Sequence, residues 1–444
     1  MNQSFFVKTY GCQMNDYDSE KIDELLLHSG FTKVSNFEKS DVAILNTCHI
    51  RKKASEKFYS DLGRLSIFKK NKEKIGKKMQ IVVMGCVAQA EGEEVLKRNN
   101  LVDYVVGPQN IHAIPNLLKK SEPEKIHTEF LVKEKFQSIP LSNSKGISRL
   151  ITIQEGCDKF CSFCVVPYTR GSEYSRSVEN IFLEAKNLEK KGAVELILLG
   201  QNVSAYKSSV YENQREKEIC LSHLCNILSS LPRIKRIRYL TSHPNDITDL
   251  LIEEHKNNKK LMPFLHLPIQ SGSNKILKKM NRKHSRDDYL KLISKIRKQK
   301  PEMAFSSDFI VGYPGESDND FEETLDLIEK VSFASSYSFK YSPRPGTPAA
   351  LKNQIIEEKK LDLRLKKVQE LLVNQQNKFN ALFIDKEVEV LIESHAKKNN
   401  QYVGRTKYLQ PVHVFSEKNI IGEILKIKLQ GLTSFSFHGK VMES

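Results

Sequence analysis

Six apolar, strand-like runs alternate with helical stretches between residues 148 and 342, and this alternation constrains the fold more than any other feature. The runs are SRLITIQEG, VELILLG, RIKRIRYLT, FLHLPIQ, AFSSDFIVG and SYSFKYS. Parallel strands need long crossover connections, which are commonly helices. The pattern therefore predicts a partial (βα)6 barrel, and we assign residues 147–374 to this core.

The chain on either side of this core carries a different pattern. Before it, the runs SFFVKTY, DVAILNTC, QIVVMGC and VDYVVG alternate with helical segments, which predicts a small parallel-sheet α/β domain over residues 1–120. Residues 121–146 lose this periodicity and are predicted as a linker. Residues 375–444 contain short runs that alternate at period two, which predicts a small antiparallel β-barrel. The predicted fold class is α/β with three parts.

The charge and hydropathy of the chain limit its partners. Lys and Arg number 70 against 54 Asp and Glu, which gives a formal charge of +16. This charge indicates either a polyanionic partner such as nucleic acid or, equally, a lysine-rich surface that is simply solvated. No run of about 18 apolar residues occurs, and the first residues lack a signal-peptide pattern. We expect a soluble, cytoplasmic protein with no membrane contact.

Three cysteines lie close together at Cys157, Cys161 and Cys164, with no fourth ligand nearby. A structural zinc site almost always has four protein ligands. Three thiolates on a [4Fe-4S] cluster would leave one iron open to a small molecule, and the triplet directly follows a strand, at the barrel end where active sites form. The alternatives are a zinc site completed by a distant ligand, or three unrelated buried cysteines.

Three further cysteines, Cys12, Cys48 and Cys86, are far apart in sequence, but each follows the end of a predicted strand. The carboxyl ends of parallel strands face one crevice, so these thiols are expected to converge on a second cluster. The alternative is that polar turns tolerate small buried cysteines. The remaining pair, Cys220 and Cys225, is predicted to lie in a helix-like stretch away from any strand end and to serve core packing.

Loops that follow the barrel strands carry glycine and small polar residues. Glycine allows a ligand to approach the backbone, and amide groups can orient a nucleoside. We predict cofactor contacts at Gly200, Gln270 and Gly312. His243 and His266 in the same loops are interpreted as structural histidines.

Nine segments together resemble the radical S-adenosylmethionine methylthiotransferases over essentially the whole chain. They are EGCDKFCSFCVVPYTRG, TYGCQMNDYDS, NTCHIRKKA, MGCVAQAEG, LLGQNV, TSHP, HLPIQSGS, SSDFIVGYPGE and YSPRPGTPAA. The motif GCQMN around Cys12 is most similar to that of the branch that modifies isopentenyladenosine in tRNA. Branches acting on threonylcarbamoyladenosine in tRNA or on a ribosomal protein are the nearer alternatives. A non-catalytic iron–sulfur or zinc RNA-binding protein is the distant one.

The resemblance implies cofactors, partners and residue roles. Cys157, Cys161 and Cys164 would be catalytic and hold the radical [4Fe-4S] cluster, whose open iron would bind S-adenosyl-L-methionine. Cys12, Cys48 and Cys86 would hold an auxiliary [4Fe-4S] cluster. The reaction would place a methylthio group at C2 of an adenine next to the anticodon. The C-terminal segment resembles a TRAM domain, so tRNA is the expected partner, together with a reducing electron-donor protein. A monomer is expected.

Overall fold

The computed structural model describes residues 3–49, 52–120, 124–212, 215–352, 356–433 and 436–442. The N-terminal part is a six-stranded, all-parallel sheet with the strand order β2-β1-β3-β4-β5-β6. Its strands are β1 (Ser4–Thr9), β2 (Thr32–Lys33), β3 (Val42–Thr47), β4 (Gln80–Gly85), β5 (Tyr104–Val106) and β6 (Ile126–His127). Its helices are α1 (Gln13–His28), α2 (Lys52–Lys74), α3 (Cys86–Glu91), α4 (Glu93–Arg98) and α5 (Ile114–Lys120). Every residue of β3 is buried, as expected for a strand with helices on both faces, and the predicted parallel sheet is confirmed.

The segment predicted as a linker contains regular structure. Strand β6 extends the sheet, and a helix α6 (Val132–Ser138) follows it with Lys135 and Phe136 buried. A strand of two residues is too short to show a period of two, so sequence periodicity could not reveal it. The predicted domain boundaries themselves stay predictions.

The central part is built from six parallel strands in two groups of three, with the orders β13-β10-β7 and β14-β15-β16. The strands of this part are β7 (Ser148–Thr152), β8 (Gln154–Glu155), β9 (Tyr174–Ser175), β10 (Glu195–Leu199), β11 (Lys207–Glu212), β12 (Arg215–Cys220), β13 (Arg236–Tyr239), β14 (Phe264–His266), β15 (Ala304–Val311) and β16 (Ser335–Lys340). An isolated parallel bridge joins Ile237 of β13 to Leu261, three residues before β14. The predicted six-stranded partial barrel is confirmed.

Helices connect or follow the strands of the central part. They are α7 (Val166–Arg170), α8 (Val178–Lys190), α9 (Leu221–Ser229), α10 (Asp249–Asn257), α11 (Asn274–Lys279), α12 (Arg286–Gln299), α13 (Asp318–Val331) and α14 (Glu358–Ala381). Ser285 and Ser317 begin α12 and α13 with reciprocal capping hydrogen bonds, which fix where the preceding loops end. None of the helices in the described part of the chain combines the length and apolar character needed to cross a membrane.

The prediction for Cys220 was wrong. It is the last residue of β12, which pairs with β11 in an antiparallel hairpin, and it is partly exposed. The alternating charges of REKE in β12 carry no apolar face, so the hairpin left no hydrophobic signal in the sequence. Cys225 is fully buried in the central core, as predicted.

The C-terminal part is a closed five-stranded barrel in the order β17-β18-β19-β21-β20, as predicted. Its strands are β17 (Glu387–His395), β18 (Gln401–Thr406), β19 (Pro411–Phe415), β20 (Ile424–Leu432) and β21 (Phe437–Val441). One neighbouring pair, β19 and β21, is parallel, and the other pairs are antiparallel. Helix α14 runs across the predicted boundary at residue 374 and joins this barrel to the central part.

A fully buried ionic group fastens the N-terminal sheet to the central barrel. Glu184 on α8 lies 2.8 Å from Lys21 Nζ and 2.8 Å from Arg176 Nη2, and all three side chains are at most 4% exposed. Burial alone would raise the pKa of Glu184, but the charges of Lys21 and Arg176 outweigh that effect and hold the pKa at about 2. The interface therefore depends on an ionised Glu184.

We expect Glu184→Gln to lower the free energy of unfolding at pH 7 by about 3–5 kcal/mol, because two buried cations lose their partner. Urea unfolding measures this loss. The native pKa lies below the unfolded value, so the difference from the wild type should be complete above about pH 5 and shrink as the pH falls toward 2. Exposed Glu253 on α10 supplies the control, since Glu253→Gln should change stability by less than about 0.5 kcal/mol. Equal urea midpoints for the two variants would contradict the role of Glu184.

Candidate active site

The loop after β7 and β8 carries the cysteine triplet on the barrel's carboxyl end. Cys161 is buried, and Cys157 and Cys164 are half-buried. The N–H of Cys164 donates to the carbonyl of Cys161 at 2.9 Å, and the N–H of Val166 donates to Cys164 Sγ at 3.5 Å. Gly156 begins the loop at a φ of 83°, where an added Cβ would lie 2.0 Å from the carbonyl of Ser172. Only glycine fits there, so the turn into the triplet is fixed by the sequence.

The triplet offers soft donors whose protons a metal must displace. Burial raises the pKa of Cys157 to about 11 and that of Cys164 to about 12. A metal or iron–sulfur cluster that binds them takes the thiolate form and releases protons. Arg282 Nη1 donates to Cys161 Sγ at 3.5 Å, so a cation already faces the position that thiolates would make negative. This donor set fits an anionic iron–sulfur cluster.

The N-terminal cysteines lie at the carboxyl ends of three neighbouring strands. Cys12 caps α1 after β1, Cys48 directly follows β3, and Cys86 directly follows β4. Because β3 lies between β1 and β4, and adjacent strands are about 4.8 Å apart, the three loops share one edge of the sheet. Gly11 has a φ of 122°, and a Cβ there would come within 2.8 Å of Cys48 Sγ. The first two cysteine loops are therefore in direct contact.

The electrostatics of these thiols also show that they are neighbours. Burial raises the pKa of Cys12 and raises that of Cys86 to about 11, and the charge of Cys48 adds to the rise in both. The guanidinium of Arg170 opposes the rise in both. The structure thus brings Cys12, Cys48 and Cys86 together, while their role as ligands stays a prediction.

Neither cysteine set is arranged around a single ion. Within the described ranges, no three His, Cys, Asp or Glu side chains converge closely enough to hold one metal ion. Thiolates around one zinc ion lie about 2.3 Å from it and crowd their sulfurs together. A four-iron cluster is larger than one ion, so its cysteine ligands lie farther apart.

One cavity of about 830 Å³ joins the three parts of the chain. Its wall includes Cys12 from the N-terminal part, all three cysteines of the triplet, and the ends of the barrel strands. The C-terminal barrel contributes Leu409, Pro411, Leu432 and Phe437. The triplet and Cys12 therefore face a common chamber, whereas Cys48 and Cys86 are buried beside Cys12 and are not among the described residues of the wall.

The three residues predicted as cofactor contacts do not share one environment. Gly200 and Gln270 line the cavity. Gln270 has a φ of 80°, which is unfavourable for a residue other than glycine. Its backbone N–H donates to the carbonyl of Asp308, and its carbonyl accepts from the N–H of Ile310, so β15 holds it in this conformation beside the cavity. Gly312 is not among the described residues of the cavity wall: its N–H donates to Glu316 Oε2 at 2.8 Å, and a Cβ would collide with Leu361. The cofactor roles of all three stay predictions.

The two loop histidines both line the cavity, but they differ in burial. His243 is 5% exposed, and burial together with the neighbouring Arg282 and His284 lowers its pKa to about 2, so it remains neutral. His266 lines the cavity, with Nδ1 2.9 Å from Ser306 Oγ and Nε2 3.4 Å from Asp308 Oδ2. His266 therefore faces the chamber, whereas the sequence pattern alone favoured a purely structural role.

Two arginines in the site were not identified from the sequence. Arg282 contacts Cys161, and Arg170 lies beside Cys12 and Cys86. Arg170 stands in the stretch CVVPYTRG, only six residues after Cys164, but sequence gives no direction for its side chain. Its burial, at 2% exposure, is the unusual feature, because a charge is rarely buried without a partner.

The end of the cavity away from the triplet is mostly apolar. Phe264, Ala334, Phe379, Tyr408, Leu409, Leu432 and Phe437 form most of this part of the wall, which we call the apolar end, and Gln376, Asn380 and Gln410 add uncharged amide groups to it. Within the described ranges, two basic residues line the cavity, Lys159 and Arg282. Lys159 lies within the cysteine triplet, and Arg282 contacts it. The cavity therefore has a charged, cysteine-bearing end and an apolar end.

Solved structures with the same fold bind related cofactors. A radical S-adenosylmethionine methyltransferase, TsrM from Kitasatospora setae, with cobalamin and a [4Fe-4S] cluster bound, superposes with a TM-score of 0.59 at 11% identity, covering 79% of this chain and 77% of that one. The cobalamin-dependent S-adenosylmethionine radical enzyme OxsB superposes with a TM-score of 0.54 at 10% identity, covering 83% of this chain and 56% of that one. At these identities the likeness shows the fold.

The sequence comparisons identify the family. Residues 4–107 match the Uncharacterized protein family UPF0004, and residues 151–328 match the Radical SAM superfamily. Two curated relatives, from the Ikeda and Boryong strains of Orientia tsutsugamushi, are each 48% identical over 99% of this chain and 99% of their own length. Both are named tRNA-2-methylthio-N(6)-dimethylallyladenosine synthase. The chain belongs to the family of the tRNA-2-methylthio-N(6)-dimethylallyladenosine synthases, within the Radical SAM superfamily.

Proposed function

We propose that the chain is a radical S-adenosylmethionine methylthiotransferase that adds a methylthio group to C2 of N6-isopentenyladenosine, the N6-dimethylallyl nucleoside, next to the anticodon of tRNA. The observation that carries the proposal is the single cavity whose wall holds the cysteine triplet and reaches the edge with Cys12, Cys48 and Cys86. Two cysteine sets beside one chamber match a reaction that needs both a radical and a sulfur donor. The family of the relatives supports the same assignment.

The triplet and the three N-terminal cysteines would hold two [4Fe-4S] clusters, and S-adenosylmethionine would bind in the chamber. When bound, the cluster at the triplet supplies the electron that cleaves S-adenosylmethionine, and the cluster at the N-terminal edge supplies sulfur. Arg282 offsets negative charge beside Cys161. Gly200 exposes its backbone at the cavity wall, where a Cβ would lie 2.5 Å from Gln154 Oε1. Gln270 lines the same wall, and its side-chain amide would orient the nucleoside.

The apolar end of the cavity favours a dimethylallyl group over the competing substrate. In adenine, N1 is bonded to C2 on one side and to C6, which carries the N6 substituent, on the other. A base that turns C2 toward the cysteines therefore directs its N6 substituent away from them. A dimethylallyl group buries apolar carbon there at a gain of about 0.8 kcal/mol per CH2. A threonylcarbamoyl group carries a carboxylate, and the described wall offers it no Lys or Arg at this end.

Leu432 lines the apolar end and provides a test of this orientation. We expect Leu432→Lys to lower kcat/KM for an isopentenyladenosine-containing anticodon stem-loop at least tenfold, about 1.4 kcal/mol, because the ammonium group would lose water when the substrate binds. The readout is methylthio product measured under steady-state conditions. Exposed Leu382, outside the cavity, gives the control Leu382→Lys, which adds the same charge without touching the chamber. Equal kinetics for both variants would contradict the orientation.

The remaining partners follow from the proposed reaction. The C-terminal barrel resembles a TRAM domain, and the formal charge of +16 suits tRNA. Cleavage of S-adenosylmethionine needs a reducing electron donor, which we propose to be a separate protein. A tRNA substrate places the proposed activity in the cytoplasm, and we propose that the enzyme acts as a monomer.

Mass spectrometry of tRNA nucleosides from a deletion strain tests the substrate. The proposal predicts that isopentenyladenosine without its methylthio group accumulates. Loss of methylthio from threonylcarbamoyladenosine instead, or an unchanged set of tRNA nucleosides, would contradict it and favour the related branches. Anaerobic metal and sulfide analysis tests the distant alternative, because zinc without sulfide and no consumption of S-adenosylmethionine would indicate a non-catalytic RNA-binding protein.

A further inference from the structure

Arg170 connects the two cysteine sets through one short segment. It is the last residue of α7, six residues after Cys164, and its side chain enters the N-terminal part of the molecule. There Nη2 donates to Asp18 Oδ2 at 2.8 Å, and its backbone carbonyl accepts a hydrogen bond from Gln109 Nε2 at 2.7 Å. The guanidinium is 2% exposed, so it has almost no access to water.

The guanidinium is only partly satisfied by protein groups. Within the described residues, Nη1 is buried without a hydrogen-bond partner, and it forms a longer ion pair with Glu155 Oε1 at 3.4 Å. Arg170 also lies close enough to Cys12 and Cys86 to oppose the burial that raises the pKa of both thiols. The guanidinium therefore lies between the carboxylates of Asp18 and Glu155 and the N-terminal cysteines.

A hydrogen-bond network extends from Arg170 to all three cysteine loops. Arg170 Nη2 is 3.5 Å from Asn15 Oδ1, which is 3.5 Å from Cys12 Sγ. Asn15 Nδ2 donates to the carbonyl of Thr47, the residue before Cys48, at 2.8 Å. Thr47 Oγ1 accepts from the N–H of Val87, the residue after Cys86, at 3.2 Å. Movement of Arg170 would therefore affect every ligand loop.

We propose that Arg170 is a positioning residue for the second iron–sulfur cluster, holding its three loops in place and offsetting its negative charge, which keeps its reduction potential from falling. The inference rests on the proposed function. Hydrogen bonds to cluster sulfurs and nearby positive charge are the protein's usual means of setting such potentials. Arg344 also lies near enough to Cys48 for their charges to interact, but it is half-buried, whereas Arg170 is shielded from solvent.

The test measures the second cluster by itself. In full-length protein carrying Cys157→Ala, Cys161→Ala and Cys164→Ala, a redox titration followed by electron paramagnetic resonance should show one cluster with about four irons per chain. Adding Arg170→Gln should shift its potential to a more negative value, and Arg170→Lys, which keeps the charge but not the fork of donors, should shift it less. A merely structural residue would not move the potential.

Arg176 supplies the matched control. It is a buried arginine of the same domain interface, 4% exposed and paired with Glu184, Tyr17 and the carbonyl of Thr152. Arg176→Gln should destabilise the fold and leave the potential unchanged. Loss of iron from Arg170→Gln but not from Arg176→Gln would also support the proposal, and loss from both would overturn it.

The same experiment separates this inference from the proposed function. An unchanged potential in Arg170→Gln, or an equal shift in Arg176→Gln, would overturn the role of Arg170 and leave the second cluster standing. If the triple-cysteine protein bound neither iron nor sulfide, the second cluster and this role for Arg170 would both be refuted.

Discussion

Replacing Cys157 with alanine is expected to abolish the formation of 5′-deoxyadenosine from S-adenosylmethionine. Cys157 is one of three thiols in its loop, and no fourth cysteine lies near that loop in sequence. With two ligands left, the cluster that supplies the electron has no stable attachment. The measurement is 5′-deoxyadenosine per chain after anaerobic reconstitution and reduction, which should fall to the level without enzyme.

Cys225 separates this effect from the general loss of a buried cysteine. It is fully buried in the central core on α9, away from the cavity. Cys225→Ala should cost about 1 kcal/mol of stability and leave 5′-deoxyadenosine formation close to the wild-type level. If Cys157→Ala retained substantial cleavage, or if both variants lost it equally, the triplet would not hold the radical cluster.

The sequence predicted that the cysteines follow strand ends, but it did not show which strands are neighbours in the sheet. Cys12, Cys48 and Cys86 each follow an apolar run, and that much is visible as a pattern of strand ends. The order β1-β3-β4, which places the three loops side by side, results from tertiary packing. The inference that the loops meet therefore rested on the general geometry of parallel sheets.

Features without a hydrophobic signature escaped the sequence analysis. Strand β6 has two residues, and the hairpin of β11 and β12 alternates charges, so neither shows an amphipathic period. The direction of Arg170 depends on the packing of α7 against α3, which joins segments about 80 residues apart. The position of Gly312 against α14 likewise depends on a helix that begins 46 residues later. Contacts of this range are set by topology.

Cys48→Ala is expected to eliminate the methylthio product while leaving cleavage of S-adenosylmethionine at least partly intact. Cys48 is 2% exposed, follows the central strand β3 and contacts the loop of Cys12. Its removal leaves two of the three thiols at the N-terminal edge, so the sulfur-donating cluster loses its attachment. The triplet lies on a loop of the central barrel, not on the N-terminal sheet, and keeps all three of its thiols in this variant. The two products, 5′-deoxyadenosine and methylthio-isopentenyladenosine, are measured in the same reaction.

Cys220 provides the control for this separation of the two products. It is partly exposed at the end of the β11–β12 hairpin and does not line the cavity, so Cys220→Ala should retain both products. Iron content distinguishes the causes, because Cys48→Ala should lose about four irons per chain and Cys220→Ala none. Methylthio product from Cys48→Ala at the wild-type rate would refute the role of the N-terminal edge. Loss of 5′-deoxyadenosine together with the product would show that the two cysteine sets form one interdependent centre.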